Sequence, residues 1–258
     1  MLTFYDITCP PPQATKSANT WKTRLSLNYK GLPYKTETIE YADIADFYKK
    51  NGIPPAVVYP NGFALHTLPV IKDDSSGQDV FVVDSLEIAK YLDKTYPDTP
   101  RLIPEGAEAQ VKAFQDQLSA AIVPVIPLVF KLSAPQTTEY SREYFNKTRA
   151  RDLSALFPDK PVSSLEELEI TPEEIQAKFG YLQQTFDALS NQYGGKETFH
   201  WAFGAQITFA DFILAGMLLN TQSLFGKDSL QWQGMSTWND GKWKTFLQNL
   251  GPYQSQEN

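Results

Sequence analysis

The stretch TLPVIKDDSSGQDVFVVDSLEIAKYLD, residues 67–93, constrains the fold of this chain more than any other. LPVI (68–71) is a short apolar run with two β-branched residues, DDSSGQD (73–79) is turn chemistry, and VFVV (80–83) is a second apolar run. The pattern predicts two buried antiparallel strands. Leu86, Ile88, Ala89, Tyr91 and Leu92 then recur at near-helical spacing, which predicts a helix opening at Asp84 and Ser85. Pro69 falls at the start of the first strand, where a missing N–H is tolerated, and a cis bond before it would turn the chain so that Val70 offers its N–H and C=O outward. That arrangement is a backbone clamp for an extended, peptide-like ligand. Asp84 and Ser85 sit where the orphan N–H groups and positive dipole end of a helix favour a carboxylate. Equally, they serve simply as an N-cap, and the segment by itself does not separate the two roles.

The flanking sequence supplies a framework for this unit. LTFYDI (2–7) reads as a first strand, and the proline-rich residues 8–16 that follow it read as a loop. A helix is expected from near Ser17, with Trp21, Leu25 and Leu27 among its apolar positions, ending at Lys30 and Gly31, where glycine suits the C′ position. PYKTETIEY predicts a second strand, YADIADFYKKNG a short helix ending at Gly52, and residues 53–66 a proline-bearing loop. The order is βαβαββα. Three prolines and a glycine in residues 96–106 mark a linker, beyond which apolar residues recur at helical spacing and strand signals are nearly absent. Pro124 and Pro127 interrupt the run AAIVPVIPLVF, so a helix there kinks or breaks, and its apolar residues either line a pocket or pack a core. Near the end, Thr208 with Asp211 fits a variant capping box, and Ile207 with Phe212 a hydrophobic staple, ahead of an apolar helix.

Three segments together carry a resemblance: the LPVI strand start, the DS helix opening followed by IAKYL, and the upstream SANTWKTRLSLNYKGLPYKTETIEY (17–41). In this order they resemble the thioredoxin-like N-terminal domain of glutathione transferases. NTWKTR, KGLPYKT and LPVI are most similar to the fungal etherase-related branch, the FuA class. The resemblance implies an α/β thioredoxin-like N-terminal domain (βαβαββα) over residues 1–98 and an all-α C-terminal domain over residues 106–258 that carries the hydrophobic substrate site. It further implies glutathione as co-substrate, a homodimer, and recognition of glutathione by Pro69, Val70, Asp84 and Ser85. His66, three residues before Pro69, either edges that site or is an ordinary loop histidine, and Lys49 and Lys50 either meet the glycyl carboxylate or form a solvated helix end.

A glutathione site must keep a thiol ionised near neutral pH although the free-thiol reference lies at about 8.5. A hydroxyl donor at a helix start does this, with the dipole adding to it. In the resembling families the activating Ser or Cys lies seven residues before the arginine of an R-L-x-L pattern; here Arg24 begins RLSL, which singles out Ser17. Asn19 and Thr20 lie within the same turn and compete for the role, and Tyr5 on the first strand is a further candidate. Branches that reduce mixed disulfides need a cysteine at this place. The single cysteine, Cys9, lies eight residues earlier and reads as a structural thiol.

Composition excludes several other classes. With 23 basic against 30 acidic residues the net charge is −7, which argues against a nucleic-acid partner. One cysteine allows no internal disulfide, and His66 and His200 are the only histidines, with no ligand cluster at metal spacing. The opening residues lack the features of a signal peptide, and the 11 residues 120–130, with two prolines, are too short and broken to span a bilayer, so a cytoplasmic protein is expected. An aromatic content of 13% suits a cleft for flat, hydrophobic or phenolic compounds as well as it suits a core. Two functions follow: conjugation of glutathione to hydrophobic, aromatic electrophiles or cleavage of aryl ethers, or a ligandin that sequesters polyphenolic molecules with little turnover.

Overall fold

The computed structural model describes residues 1–11, 15–59, 62–194 and 200–255. Its first half is a four-stranded sheet of order β2-β1-β5-β6. Strand β1 (Leu2–Ile7) runs parallel to β2 (Tyr34–Ile39) and antiparallel to β5 (Val70–Asp73), which in turn pairs antiparallel with β6 (Val80–Val83). Alternation along β1 sends Leu2 and Phe4 into the core that includes Trp21, Leu25 and Leu86, and Tyr5 into a second cluster with Ile44, Tyr48 and Val70. Helices therefore cover both faces: α1 (Ala18–Lys30) and α3 (Ser85–Thr95) on one, α2 (Ile44–Lys50) on the other. Helix α1 ends as its sequence requires. Gly31 takes a left-handed φ of 65° and returns its N–H to Asn28 and Leu27.

Two local expectations need correction. Residues 53–66 are more than a loop, because Val57–Val58 (β3) and Ala64–Leu65 (β4) pair as a small antiparallel hairpin. Strands of two residues are too short to show alternation, and Pro55 masks the strand character of the valines that follow. The second strand of the opening motif, β6, is half-buried, since it forms the edge of the sheet.

Beyond residue 107 the described chain is helical: α4 (Glu108–Ile122), α5 (Ile126–Ser133), α6 (Glu139–Leu156), α7 (Pro172–Gln192), α8 (Phe209–Phe225) and α9 (Leu230–Asn249), with short 3-10 turns between some of them. Helices α4 and α5 belong to one helical stretch, residues 108–136, long and apolar enough by length and composition to cross a membrane. A 3-10 turn at Val123–Val125 divides it, and Val125 and Leu128 pack against Leu182 of α7, while Ile126 and Phe130 pack against Phe145 of α6. Part of the apolar run, centred on Val125 and Leu128, thus goes into core packing. The segment marked as a linker is not loose either. Asp93 accepts the Leu102 N–H at 2.9 Å, the Ile103 N–H at 2.8 Å and the Lys30 ammonium at 2.8 Å, and Leu102 C=O accepts Phe209 N–H at 2.7 Å. One hydrophobic core runs from Leu2 and Phe4 through Leu102 to Phe212 and Phe246.

Helix α8 joins the two halves by lying along α1. Gly216 permits this approach, because a Cβ there would fall inside van der Waals contact of the Ala18 carbonyl oxygen, while the Lys22 stem would lie at ordinary contact distance. Its N-terminus is set by Asp211, whose carboxylate accepts Thr208 N–H at 2.8 Å, the Thr208 hydroxyl at 3.0 Å and Ala202 N–H at 2.8 Å. Burial raises the Asp211 carboxyl to about 6, against those hydrogen bonds.

Candidate functional site

Strand register gathers the predicted site at one end of the sheet. Tyr5, near the C-terminal end of β1, faces Val70 at the start of β5, and Val70 faces Val83 at the end of β6. The chain leaving β1 toward α1, the turn entering β5 and the start of α3 therefore lie side by side. β2 runs parallel to β1 and ends at the same edge, where Glu40 accepts the hydroxyls of Thr138, at 2.5 Å, and Ser141, at 2.6 Å, at the N-terminus of α6. The helical half closes over this edge.

The turn into β5 carries a cis Leu68–Pro69 bond. Val70, expected to offer its backbone outward, does not: its strand lies inside the sheet, flanked by β1 and β6, and the residue is fully buried. The open backbone is two residues earlier, at Leu68. Tyr48 hydroxyl donates to Thr67 C=O at 2.5 Å and accepts from Thr67 N–H at 3.4 Å, whereas no hydrogen bond among the described residues takes up the N–H or C=O of Leu68. Burial pushes the Tyr48 phenol up to about 12, so it remains a donor to Thr67 at any physiological pH. His66 packs edge-on against the Tyr48 ring, with centroids 5.0 Å apart. Sequence reasoning did not single out Tyr48; its aromatic character in a short helix looks the same whether it packs or positions.

At the start of α3, Asp84 adopts φ 75° and ψ 135°, a costly conformation for a residue with a side chain. Its Oδ1 accepts the N–H of Leu86 at 2.8 Å and of Glu87 at 3.3 Å, which leaves Oδ2 free among the described residues. Ser85 is buried as the first residue of the helix, and no side-chain hydrogen bond among the described residues engages its hydroxyl. Asp84 is thus an N-cap and, through its second oxygen, an exposed acceptor.

The start of α1 is fixed from beneath. Asp6 accepts the Thr15 hydroxyl at 2.6 Å and the Ile7 N–H at 2.7 Å, and Arg24 donates to Thr15 at 2.7 Å and meets Asp6 at 3.5 Å, all in the interior. Burial pushes the Asp6 carboxyl up, against the pull of Thr15, Thr20 and Arg24. The Lys16 C=O accepts from Asn220 of α8 at 2.8 Å, and its ammonium donates to Gln136 C=O. Ser17, held by these flanks, caps α1: its Oγ accepts Asn19 N–H at 3.3 Å, which leaves its own proton to be donated elsewhere. Thr20 is fully buried, with its hydroxyl donated to Ser17 C=O. Asn19 is exposed, and its Oδ1 accepts from Lys22 at 2.9 Å.

Other candidates lie elsewhere. Tyr5 is wedged between Phe47 and Phe81 on the α2 face of the sheet, and burial raises its phenol. The Cys9 thiol donates to Ile7 C=O at 3.3 Å, and burial pushes it up to about 11, so it is protonated at neutral pH and unsuited to attack. Lys49 and Lys50 are exposed in the last turn of α2. A cavity of about 440 Å³ between Asn28, Leu32, Tyr34 and Pro252 lies at the far end of α1 and carries none of these groups.

Comparison with known proteins agrees along the whole chain. Residues 16–95 match the family model described as Glutathione S-transferase, N-terminal domain, and residues 109–253 match the one described as Glutathione S-transferase, C-terminal domain. The chain is 32% identical over 230 residues to the glutathione S-transferase-like protein ustS of Aspergillus flavus, covering 84% of this chain and 79% of that one. It is similar in structure to a glutathione S-transferase of Ceriporiopsis subvermispora solved in complex with glutathione, with 34% identity, a TM-score of 0.89 and coverage of 100% and 99% of the two chains. The glutathione transferase GSTFuA3 of Phanerochaete chrysosporium gives 35% identity, a TM-score of 0.84 and coverage of 100% and 98%.

Proposed function

The chain belongs to the glutathione S-transferase family, and on that basis we propose that it conjugates glutathione to hydrophobic, aromatic electrophiles or cleaves aryl ethers, holding the sulfur as thiolate at the start of α1. The observation that supports this most is the convergence of three unfilled hydrogen-bonding groups at one sheet edge: the Leu68 backbone, the Asp84–Ser85 helix start and the Ser17 hydroxyl.

These groups fit a tripeptide thiol. Leu68 N–H and C=O pair with the extended cysteinyl backbone as an added strand would. Pro69 sets the turn, and Val70 anchors it through the ladder. The γ-glutamyl end meets the N-terminus of α3, where Ser85 and the helix dipole favour its carboxylate and the free Asp84 oxygen accepts its ammonium. His66 contributes by packing on Tyr48, which holds Thr67. Ser17 donates to the sulfur: a hydrogen bond to a charged group contributes roughly 1.5–3 kcal/mol, or about one to two pKa units, enough to bring a thiol from about 8.5 to near neutrality. The thiolate then forms its bond to an electrophilic carbon while the leaving group departs with that carbon's electron pair. Holding both reactants in the same cleft supplies much of the acceleration. Half-buried Phe130 of α5 and exposed Tyr144 of α6 would make the helical side of the cleft hospitable to flat apolar compounds.

Turnover of a panel of aryl electrophiles and aryl ethers with glutathione, beside polyphenol affinity, tests this reading. Glutathione-dependent product is expected; tight polyphenol binding with no turnover across the panel would instead make the protein a ligandin. A homodimer in the cytoplasm completes the proposal, and sedimentation of the purified protein checks the dimer.

A further inference from the structure

One charged group near the start of α1 has no role in the scheme above. Lys22 lies one turn into the helix and is only 8% exposed. Its ammonium donates to Asn19 Oδ1 at 2.9 Å, forms no ion pair among the described residues, and has two further N–H groups that no side-chain hydrogen bond among them takes up. A buried cation left this incomplete costs stability unless something else requires it. The opposite charge that reaches it is Asp84 on α3; α8 faces it with Gly216, and the one ionisable side chain of α8, Asp211, is bound into its own cap.

The hydrogen bond decides the orientation of Asn19. An ammonium has donors only, so the amide atom it meets must be the oxygen, and the amide NH2 is left at the exposed side of the helix start, one turn or less from Ser17. Asn19 N–H in turn occupies the Ser17 acceptor, so that both side chains at this end of α1 keep donors for a ligand. We propose that Lys22 is a positioning residue of the glutathione site: its buried ammonium locks the Asn19 amide with NH2 toward the thiol and adds positive charge beneath the thiolate. This rests on the reading of the α1 start as the thiolate site. Burial lowers the Lys22 ammonium to about 8, opposed by Asp84, so the lock weakens as pH rises through that value.

The test measures the pKa of glutathione bound to the full-length protein by thiolate absorbance, with calorimetric affinity and thermal stability in parallel. Lys22→Met is expected to raise the bound-thiol pKa by about one unit and lower kcat about tenfold, with the KM for glutathione changed less than about threefold. Its melting temperature should hold or rise, since an incompletely paired buried charge is gone; a merely structural lysine predicts a fall. Asn19→Ala, at an exposed site where folding is not at stake, should raise the thiol pKa similarly, and the double variant should add little to either. An unchanged thiol pKa in Lys22→Met, or in Asn19→Ala should Lys22→Met fail to fold, overturns the role of Lys22 while wild-type thiol activation stands. A wild-type protein that binds glutathione without lowering its thiol pKa overturns the α1 thiolate site and this role together.

Discussion

In the proposed mechanism one hydroxyl, that of Ser17, would serve the fold and the chemistry at once. Its oxygen caps α1 by accepting from Asn19, so its proton is left to donate elsewhere. Ser17→Ala should therefore raise the pKa of bound glutathione by about one to two units, read by ultraviolet absorbance, while costing stability only the cap, roughly 0.5–2 kcal/mol. Asp211 makes a prediction of opposite character. Its carboxyl, raised to about 6 from 3.8, binds a proton more tightly in the folded chain than in the unfolded one. Its contribution is thus fully present below about pH 4 and lost as pH rises through about 6, on the order of 3 kcal/mol. Denaturant melts at pH 4, 5, 6 and 7 should show a steeper downward slope in the wild type than in Asp211→Asn, which keeps the share of Asp6, whose carboxyl burial also raises. Residue roles were unevenly legible in the sequence. The spacing from Arg24 pointed to Ser17, which the structure has as the N-cap of α1, but the open backbone expected at Val70 falls two residues earlier, at Leu68, because sequence shows where a strand begins and not which of its residues has neighbours on both sides. Lys22 gave no signal at all: a lysine in an amphipathic helix reads as solvated until α8 is seen to cover it.

At the scale of elements, the ends of helices carry most of the information. The capping patterns at Thr208 and the glycine stop at Gly31 were legible because local chemistry decides them, as was the order of strands and helices around the opening motif. The β3–β4 hairpin was not, being too short for periodicity, nor was the anchoring of residues 96–106, since prolines mark a turn whether it dangles or is bound. Asp93 is what binds it. Asp93→Ala would leave the fully buried Lys30 ammonium without its counter-charge, with the Pro100 carbonyl as remaining acceptor, and free two backbone N–H groups, so unfolding free energy should fall by about 3–5 kcal/mol. The measurement is equilibrium urea unfolding. For α3, Asp84→Ala removes the cap and the free carboxylate oxygen together; glutathione affinity, measured calorimetrically, should fall more steeply than stability, which loses roughly 0.5–2 kcal/mol.

The whole molecule behaves as one unit although its family is described in two domains. A core continuous from β1 to α9, with Leu102 inside it, leaves little to separate the halves, and calorimetry should record one transition whose calorimetric and van't Hoff enthalpies agree. Two resolved transitions would contradict this. The proposed site spans that shared body: its thiol end would come from α1, its recognition edge from the sheet, and its cover from the helical half. The distance between α1 and α8 is set at Gly216, where a methyl would collide with the Ala18 carbonyl oxygen. Position 216 is therefore a calliper on the cleft. Adding one carbon there changes no polar group, yet it must widen the gap between the helices, at about 1–3 kcal/mol, and would retune the aperture of the proposed cleft.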